Sequence, residues 1–289
     1  MNLPSAGGGV TAGQTSCIST TLVEATDLII ERARQLTNRL VESKGCEEPP
    51  ISVEELARLQ GIKTIEKTDL GKLDAALVKL PHGYVMRVNS NHHPFRQNFS
   101  CAHEIGHTLL HDLEQESLGN VEFRLVSFEI GRKDKERLCD AAAAELLMPE
   151  RIFGKYLSGF GVSVAAIERL SNVFKVSIPA VAIRVAQVSE EPCVAILWHR
   201  WRKARSKGFG LVWCAASRRK RRDEGYYVRG REYVRDPSAL LKAYQSDSLV
   251  KSFRFFEFGA LKRRCYMESR GFGHSEMRYV VSLVFPERC

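Results

Sequence analysis

The chain has 289 residues, 44% of them hydrophobic and 27% charged, with a formal net charge of +9. That balance is ordinary for soluble globular protein, and the length accommodates two modest domains or one domain with a substantial annex. No apolar run approaches the roughly 18 residues that a membrane span needs, so no membrane partner is expected.

The opening stretch "MNLPSAGGGVTAGQTSCIST", residues 1–20, is rich in Gly, Ser and Thr and carries no charged side chain. It lacks the basic start and long apolar core of a secretory signal, which predicts a disordered tail and a cytoplasmic protein. From 21 to 42, Leu22, Ala25, Ile29, Ala33, Leu36 and Leu40 recur at spacings of three and four, one face of an amphipathic helix. In "PPISVEELARLQGI", Ser52 with Glu55 three residues on forms a capping box, opening a short helix closed by Gly61. "AALVKL" and "GYVMRVN", separated by "PHG", predict a hairpin, and "SNHHPFRQ" a loop.

A helix is expected from Phe99 through "FSCAHEIGHTLLH". Another spans 134–148, marked by its alanine run and ended by Pro149. Two more fit "SVAAIERLSNVFK" and "SIPAVAIRVAQV", capped by Ser163 and Ser177, a helix-turn-helix-like segment within about 150–190. Beyond Cys193 the pattern changes to short β-branched and aromatic runs, "CVAILWHRW", "GFGLVWCAA", "EGYYVRG" and "MRYVVSLVF". Residues 192–289 hold 22 Lys and Arg against 9 Asp and Glu, an excess of +13, which places a boundary near "SEEPC". Such an excess can attract nucleic acid or an acidic protein surface, and it can equally be a solvated face. The eight cysteines form no CxxC pair, so reduced thiols are expected, with Cys101 and Cys139 as small apolar filler.

On the helix from Phe99, His103 and His107 lie one turn apart and can put ring nitrogens on one tetrahedral metal ion. Glu104 sits about 100° around from His103, beside the open side of such an ion, where a carboxylate can take a proton from attacking water. Gly106 is poor for an exposed helix and is tolerated where another backbone packs closely. His111 lies about 12 Å further along the axis than His103, too far to share the ion, and is read as flanking or as hydrogen-bonded support. A catalytic zinc site needs a third protein ligand. In "ERLCDAAAAELLMP", Glu136 and Asp140 are four apart, so one carboxylate can bind metal while the other accepts the free N–H of a ligand histidine. Read alone, Glu136 is as well explained as a solvated partner within its own helix.

Taken together, "PPISVEELARLQGI", "YVMRVN", "FRQNFSCAHEIGHTLLH" and "ERLCDAAAAELLMP" resemble the ImmA/IrrE family of zinc metallopeptidases, over roughly residues 20–190. The family's second motif runs approximately Glu-x-x-Ala-Asn-x-Phe-Ala-x-x-Leu-Leu-Met-Pro. Here Glu136, Ala143, Leu146, Leu147, Met148 and Pro149 fall on it, while Cys139, Asp140 and Ala142 replace the usual Ala, Asn and Phe. The resemblance implies one Zn²⁺ per chain on His103, His107 and Glu136, Glu104 as general base, and Asp140 supporting a ligand from outside. It implies a helical zincin-like peptidase domain with a small β-sheet over 21–190; the charge shift and the strand-like runs predict a basic β-rich domain over 191–289 that recruits or regulates, making the whole chain α+β. It also implies limited proteolysis of a helix-turn-helix transcriptional repressor in a stress-response or mobile-element circuit. Two other readings compete: a catalytically silent relative that only binds its partner, and a DNA-binding regulator. For the latter, "SIPAVAIRVAQV" offers only Arg184 and Gln187 to read bases. His82, His92, His93 and Tyr156 are candidates for stabilising the oxyanion, and the sequence does not rank them.

Overall fold

The computed structural model describes residues 13–45, 48–81, 83–117, 131–203, 206–217, 233–234, 238–258, 261–274 and 277–288. Two compact units emerge: Met1–Gly45, Val53–Asn91 and Ser100–Leu146 form the first, and Cys46–Ser52, His92–Phe99 and Leu147–Cys289 the second. Helices and two separate sheets make the fold α+β, with the second sheet in the C-terminal part. Among the described residues no helix is long and apolar enough to cross a membrane.

In the first unit, α1 (Gly13–Lys44) buries Ala25, Ile29, Ala33, Leu36 and Leu40, the face its spacing predicts. The helix starts at Gly13, so residues 13–20 are helical where a disordered tail was expected, and 1–12 lie outside the described residues. Once a helix is nucleated, each added residue gains a hydrogen bond at little cost, so polar Ser and Thr can extend it. The short α2 (Val53–Leu59) ends before Gly61, whose φ of +76° suits glycine. It leads into β1 (Ile62–Thr68), a strand that the sequence pattern hid behind one inward residue, Ile62. Next, β2 (Ala75–Leu80) and β3 (Gly83–Asn89) form the expected hairpin, paired from Leu80↔Gly83 to Ala75↔Val88. β1 joins β3 in parallel, giving the order β1-β3-β2.

Helix α3 (Pro94–Ser117) begins five residues before Phe99, inside the expected loop. Proline's fixed φ and missing N–H fit the first helical position, so Pro94 opens the helix rather than prolonging the loop. Helix α4 (Arg132–Leu147) follows within two residues of expectation. Its buried Glu145 holds its carboxylate against Arg34 of α1, Nε to Oε1 at 3.0 Å, which fixes α4 to the long helix.

The second unit contains α5 (Glu150–Phe160), α6 (Val164–Phe174) and α7 (Ile178–Val188). Ser163 caps α6 by accepting from Ala166 N at 3.0 Å, whereas Ser177 makes no side-chain cap bond. A six-stranded antiparallel sheet follows, in the order β6-β5-β4-β9-β8-β7. Its strands are β4 (Val194–Lys203), β5 (Ser206–Ala216), β6 (Tyr233–Val234), β7 (Val250–Phe258), β8 (Leu261–Phe272) and β9 (Tyr279–Phe285). The expected strand "EGYYVRG" lies outside the described residues. β9 is central and buried from Val280 to Phe285, as its continuous apolar run requires. Trp198 donates its indole N–H to Ser282 at 3.0 Å, and Ser282 bonds Ser269 at 2.7 Å, so these three buried polar groups satisfy one another. The short helix α8 (Ser238–Gln245) packs on β8 where Gly271 leaves room, since a Cβ there would collide with the Ala243 carbonyl.

α6 and α7 pack on this sheet. Glu268 of β8 accepts from Val164 N, a free amide at the start of α6, at 3.1 Å. The stretch Leu147–Cys289 lies within one compact unit, with no division near residue 190. Charge composition marks where the strands begin, but the apolar faces of 150–188 are buried within the same unit as the sheet. Arg184 is 3% exposed and its Nε donates to Met148 O at 2.9 Å, so it is a packing residue of α7.

Candidate metal centre

Two helices carry the site. Gly106 of α3 sits where α4 crosses it: a Cβ there would stand 3.0 Å from both Cα and O of Cys139 and 3.3 Å from the Ala142 methyl. The close approach that Gly106 suggested is thus made, and the small residues of α4, Cys139, Ala142 and Ala143, are the fully buried ones that allow it.

This contact brings five side chains together, from His103 and His107 on α3 and from Glu136, Cys139 and Asp140 on α4. His103 Nε2 lies 3.2 Å and His107 Nε2 3.8 Å from the same oxygen, Oε2 of Glu136. Ligand atoms held about 2.0–2.1 Å from one tetrahedral Zn²⁺ are about 3.3 Å apart, and these two separations lie close to that. On the other edge of its ring, His103 Nδ1 is 2.9 Å from Asp140 Oδ1. His107 Nδ1 lies 3.3 Å from Cys139 Sγ, a partner not foreseen from the sequence. The signal was available: on a helix the positions three and four after Glu136 share its face. His103, His107 and Cys139 also cluster, with one ligand atom of each lying within 4.8 Å of the others. The nitrogen facing the thiol, however, is Nδ1, whereas both Nε2 atoms face Glu136.

The donor chemistry fits a cation. A carboxylate only accepts, so Nδ1 of His103 must donate to Asp140, leaving Nε2 of a neutral ring as an acceptor facing another acceptor at 3.2 Å. Two acceptors so placed require a proton or a metal between them. Burial pulls the His103 imidazole down, but Asp140, Glu104 and Glu136 together outweigh it and raise its pKa. His107 is lowered, by burial first and then by His103. Glu104, half-buried beside them, has its pKa raised by burial, with His103 opposing and Glu136 adding to the rise.

Among the remaining candidates, His111 is exposed and His82 lies outside the described residues. His92, His93 and Tyr156 belong to the second unit, where Tyr156 packs against Phe160 and Phe174.

Residues 57–186 match the peptidase M78 family, described as the IrrE N-terminal-like domain. The chain is 31% identical over 116 residues to the radiation response metalloprotease IrrE of Deinococcus radiodurans, a match covering 39% of this chain and 34% of that protein. It is 31% identical over 143 residues to the same-named protein of Deinococcus deserti, covering 47% of each. The chain thus spans between a third and a half of the length of these relatives. In overall fold it is similar to a Mycobacterium tuberculosis transcriptional regulator, with a TM-score of 0.60 over 92% of this chain and 81% of that one at 14% identity.

Proposed function

The chain belongs to the ImmA/IrrE family through its segment 57–186, and from that premise we propose that it is a zinc-dependent endopeptidase acting on a protein substrate by limited proteolysis. The observation that carries this is the convergence of His103 Nε2 and His107 Nε2 on Glu136 Oε2, with Glu104 beside them. His103, His107 and Glu136 would hold one Zn²⁺. When bound, the ion supplies a Lewis acid that polarises the scissile carbonyl and makes water ionise near neutrality.

Asp140 accepts the Nδ1–H of His103 and so keeps the Nε2 lone pair turned inward. A carboxylate of Glu104 accepts a proton from the attacking water and returns it to the departing amine. Its burial makes it a stronger base than an exposed glutamate, because a raised pKa means a proton more readily held. Gly106 and the small residues of α4 keep the two helices close enough for all four groups to act on one point.

The substrate we propose is a helix-turn-helix transcriptional repressor, cut to release stress-response genes, which would place the reaction in the cytoplasm. The names of the Deinococcus relatives, radiation response metalloproteases, agree with a stress role. A base-reading role for α6 and α7 has less support, since Arg184 is buried and bonded to a backbone carbonyl. Salt-dependent binding of nucleic acid or an acidic partner through the basic C-terminal part is compatible with the peptidase reading. The test is incubation of zinc-loaded protein with candidate repressors, with cut sites mapped by mass spectrometry. Glu104→Gln should slow cleavage at least about a hundredfold while zinc content stays near one per chain. A Gln variant that cuts at the wild-type rate removes Glu104 from its role.

A further inference from the structure

Glu136, Cys139 and Asp140 stand at positions i, i+3 and i+4 of α4, one face of one helix. Glu136 Oε2 meets both Nε2 atoms, Asp140 meets Nδ1 of His103, and Cys139 Sγ meets Nδ1 of His107 at 3.3 Å. The same helix therefore touches both edges of both imidazoles. Asp140 has a known kind of task here, and the thiol occupies the matching place on the second histidine.

We propose that Cys139 is the positioning residue of His107: its sulfur accepts the Nδ1–H of that ring and holds the tautomer whose Nε2 lone pair points at the metal position. The inference rests on the ligand set His103, His107 and Glu136 and adds a role that a buried alanine could not fill. A thiol sulfur is a weak acceptor, and at 0% exposure it is itself shielded from water, which strengthens what it accepts. At Gly106, α4 approaches α3 most closely through Cα and O of residue 139, atoms that Cys139→Ala keeps. The sulfur is also set apart from the ligand triangle. A ring nitrogen turned to the thiol is Nδ1, and one imidazole cannot give both of its nitrogens to a single ion.

The test uses the full chain and two variants, Cys139→Ala and Cys139→Ser. Zinc affinity, measured by competition with a chromophoric chelator, should fall by about tenfold or more in the Ala variant, the usual loss when an outer partner of a ligand histidine is removed. The Ser variant, which keeps an acceptor, should recover part of that loss. Long-range proton–nitrogen NMR of the metal-free chain should find His107 with its proton on Nδ1 in the wild type and on Nε2 in the Ala variant. Packing alone would not move that signature. Cobalt-substituted wild type should show no thiolate-to-metal charge-transfer band.

Zinc affinity within twofold of wild type in Cys139→Ala, an Nε2-protonated His107 in the wild type, or a cobalt–thiolate band would each overturn the proposal. Wild-type protein that binds no zinc at all would instead remove the ligand set beneath it.

Discussion

In the first unit Nε2 of His103 on α3 faces a carboxylate oxygen of Glu136 on α4, acceptor to acceptor, while the buried serine, tryptophan and glutamate contacts described for the second unit pair donor with acceptor. Trp198 donates to Ser282 and Ser282 bonds Ser269, and the Glu268 carboxylate takes an amide at the head of α6. Those contacts are complete as they stand and hold a core together. At the α3–α4 crossing, Nε2 of His103 is 3.2 Å from a carboxylate oxygen while its other nitrogen already serves Asp140. That pair is complete only with a proton or a metal ion between its two atoms. Satisfied polar groups mark structure; convergent unsatisfied ones mark a binding site.

The largest test of this contrast is a chain ended at residue 190. It keeps every proposed ligand but strips α6 and α7 of the strands they pack on, exposing Val181, Ala182, Val185 and Ala186. Gel filtration and circular dichroism should report aggregation or loss of helix. A monomeric, fully helical product would mean that 150–188 stands without the sheet.

His103→Ala should next abolish most zinc binding, with metal analysis as the readout, while the urea midpoint of the metal-free protein moves little. Undiminished zinc would dissolve the ligand assignment. In the wild type, Asp140 and Glu136 hold a proton on His103 more firmly than on an ordinary histidine, and zinc must displace it. Zinc affinity should therefore fall as pH drops, starting above the usual histidine range. Flat affinity between about pH 5 and 8 would contradict that competition.

Trp198→Ala should have the opposite profile, costing about 3–5 kcal/mol of stability through the cavity it leaves. Ser282 would lose its indole donor as well. Denaturant unfolding measures the loss, and zinc stoichiometry measured under native conditions should remain near one per chain. Gly106→Ala comes last in size, at about 1–3 kcal/mol, since its methyl would press on the Cys139 backbone 3.0 Å away. It should also weaken zinc binding by separating α3 from α4. An Ala variant of unchanged stability and affinity would show that the helices have slack at the crossing.

Much of this was legible in local pattern. The face of α1, the β2–β3 hairpin, the bounds of α4 to within two residues, and the His103–His107 pair all follow from short-range periodicity, which the backbone enforces at 3.6 or 2 residues per repeat. So did the need for a close neighbour at Gly106. The misses share a cause. β1 shows only Ile62 inward, and β7 places Phe253 and Phe255 outward with Phe256 inward, so neither presents a clean alternation. Pro94 suits both a loop and the first turn of a helix, so local pattern alone does not show where α3 begins.

Sequence by itself determined which side chains could hold a cation and on which helices they ride, because a spacing of four residues fixes a common face whatever the rest of the chain does. Only the tertiary structure decided that Glu136, not Cys139, faces both Nε2 atoms, that the thiol instead meets Nδ1 of His107, and that 150–188 belongs with the second sheet. Those outcomes depend on how two helices cross at a missing side chain and on which apolar faces find each other. Such contacts join residues more than thirty positions apart, a separation over which helical and strand periodicity carries no information.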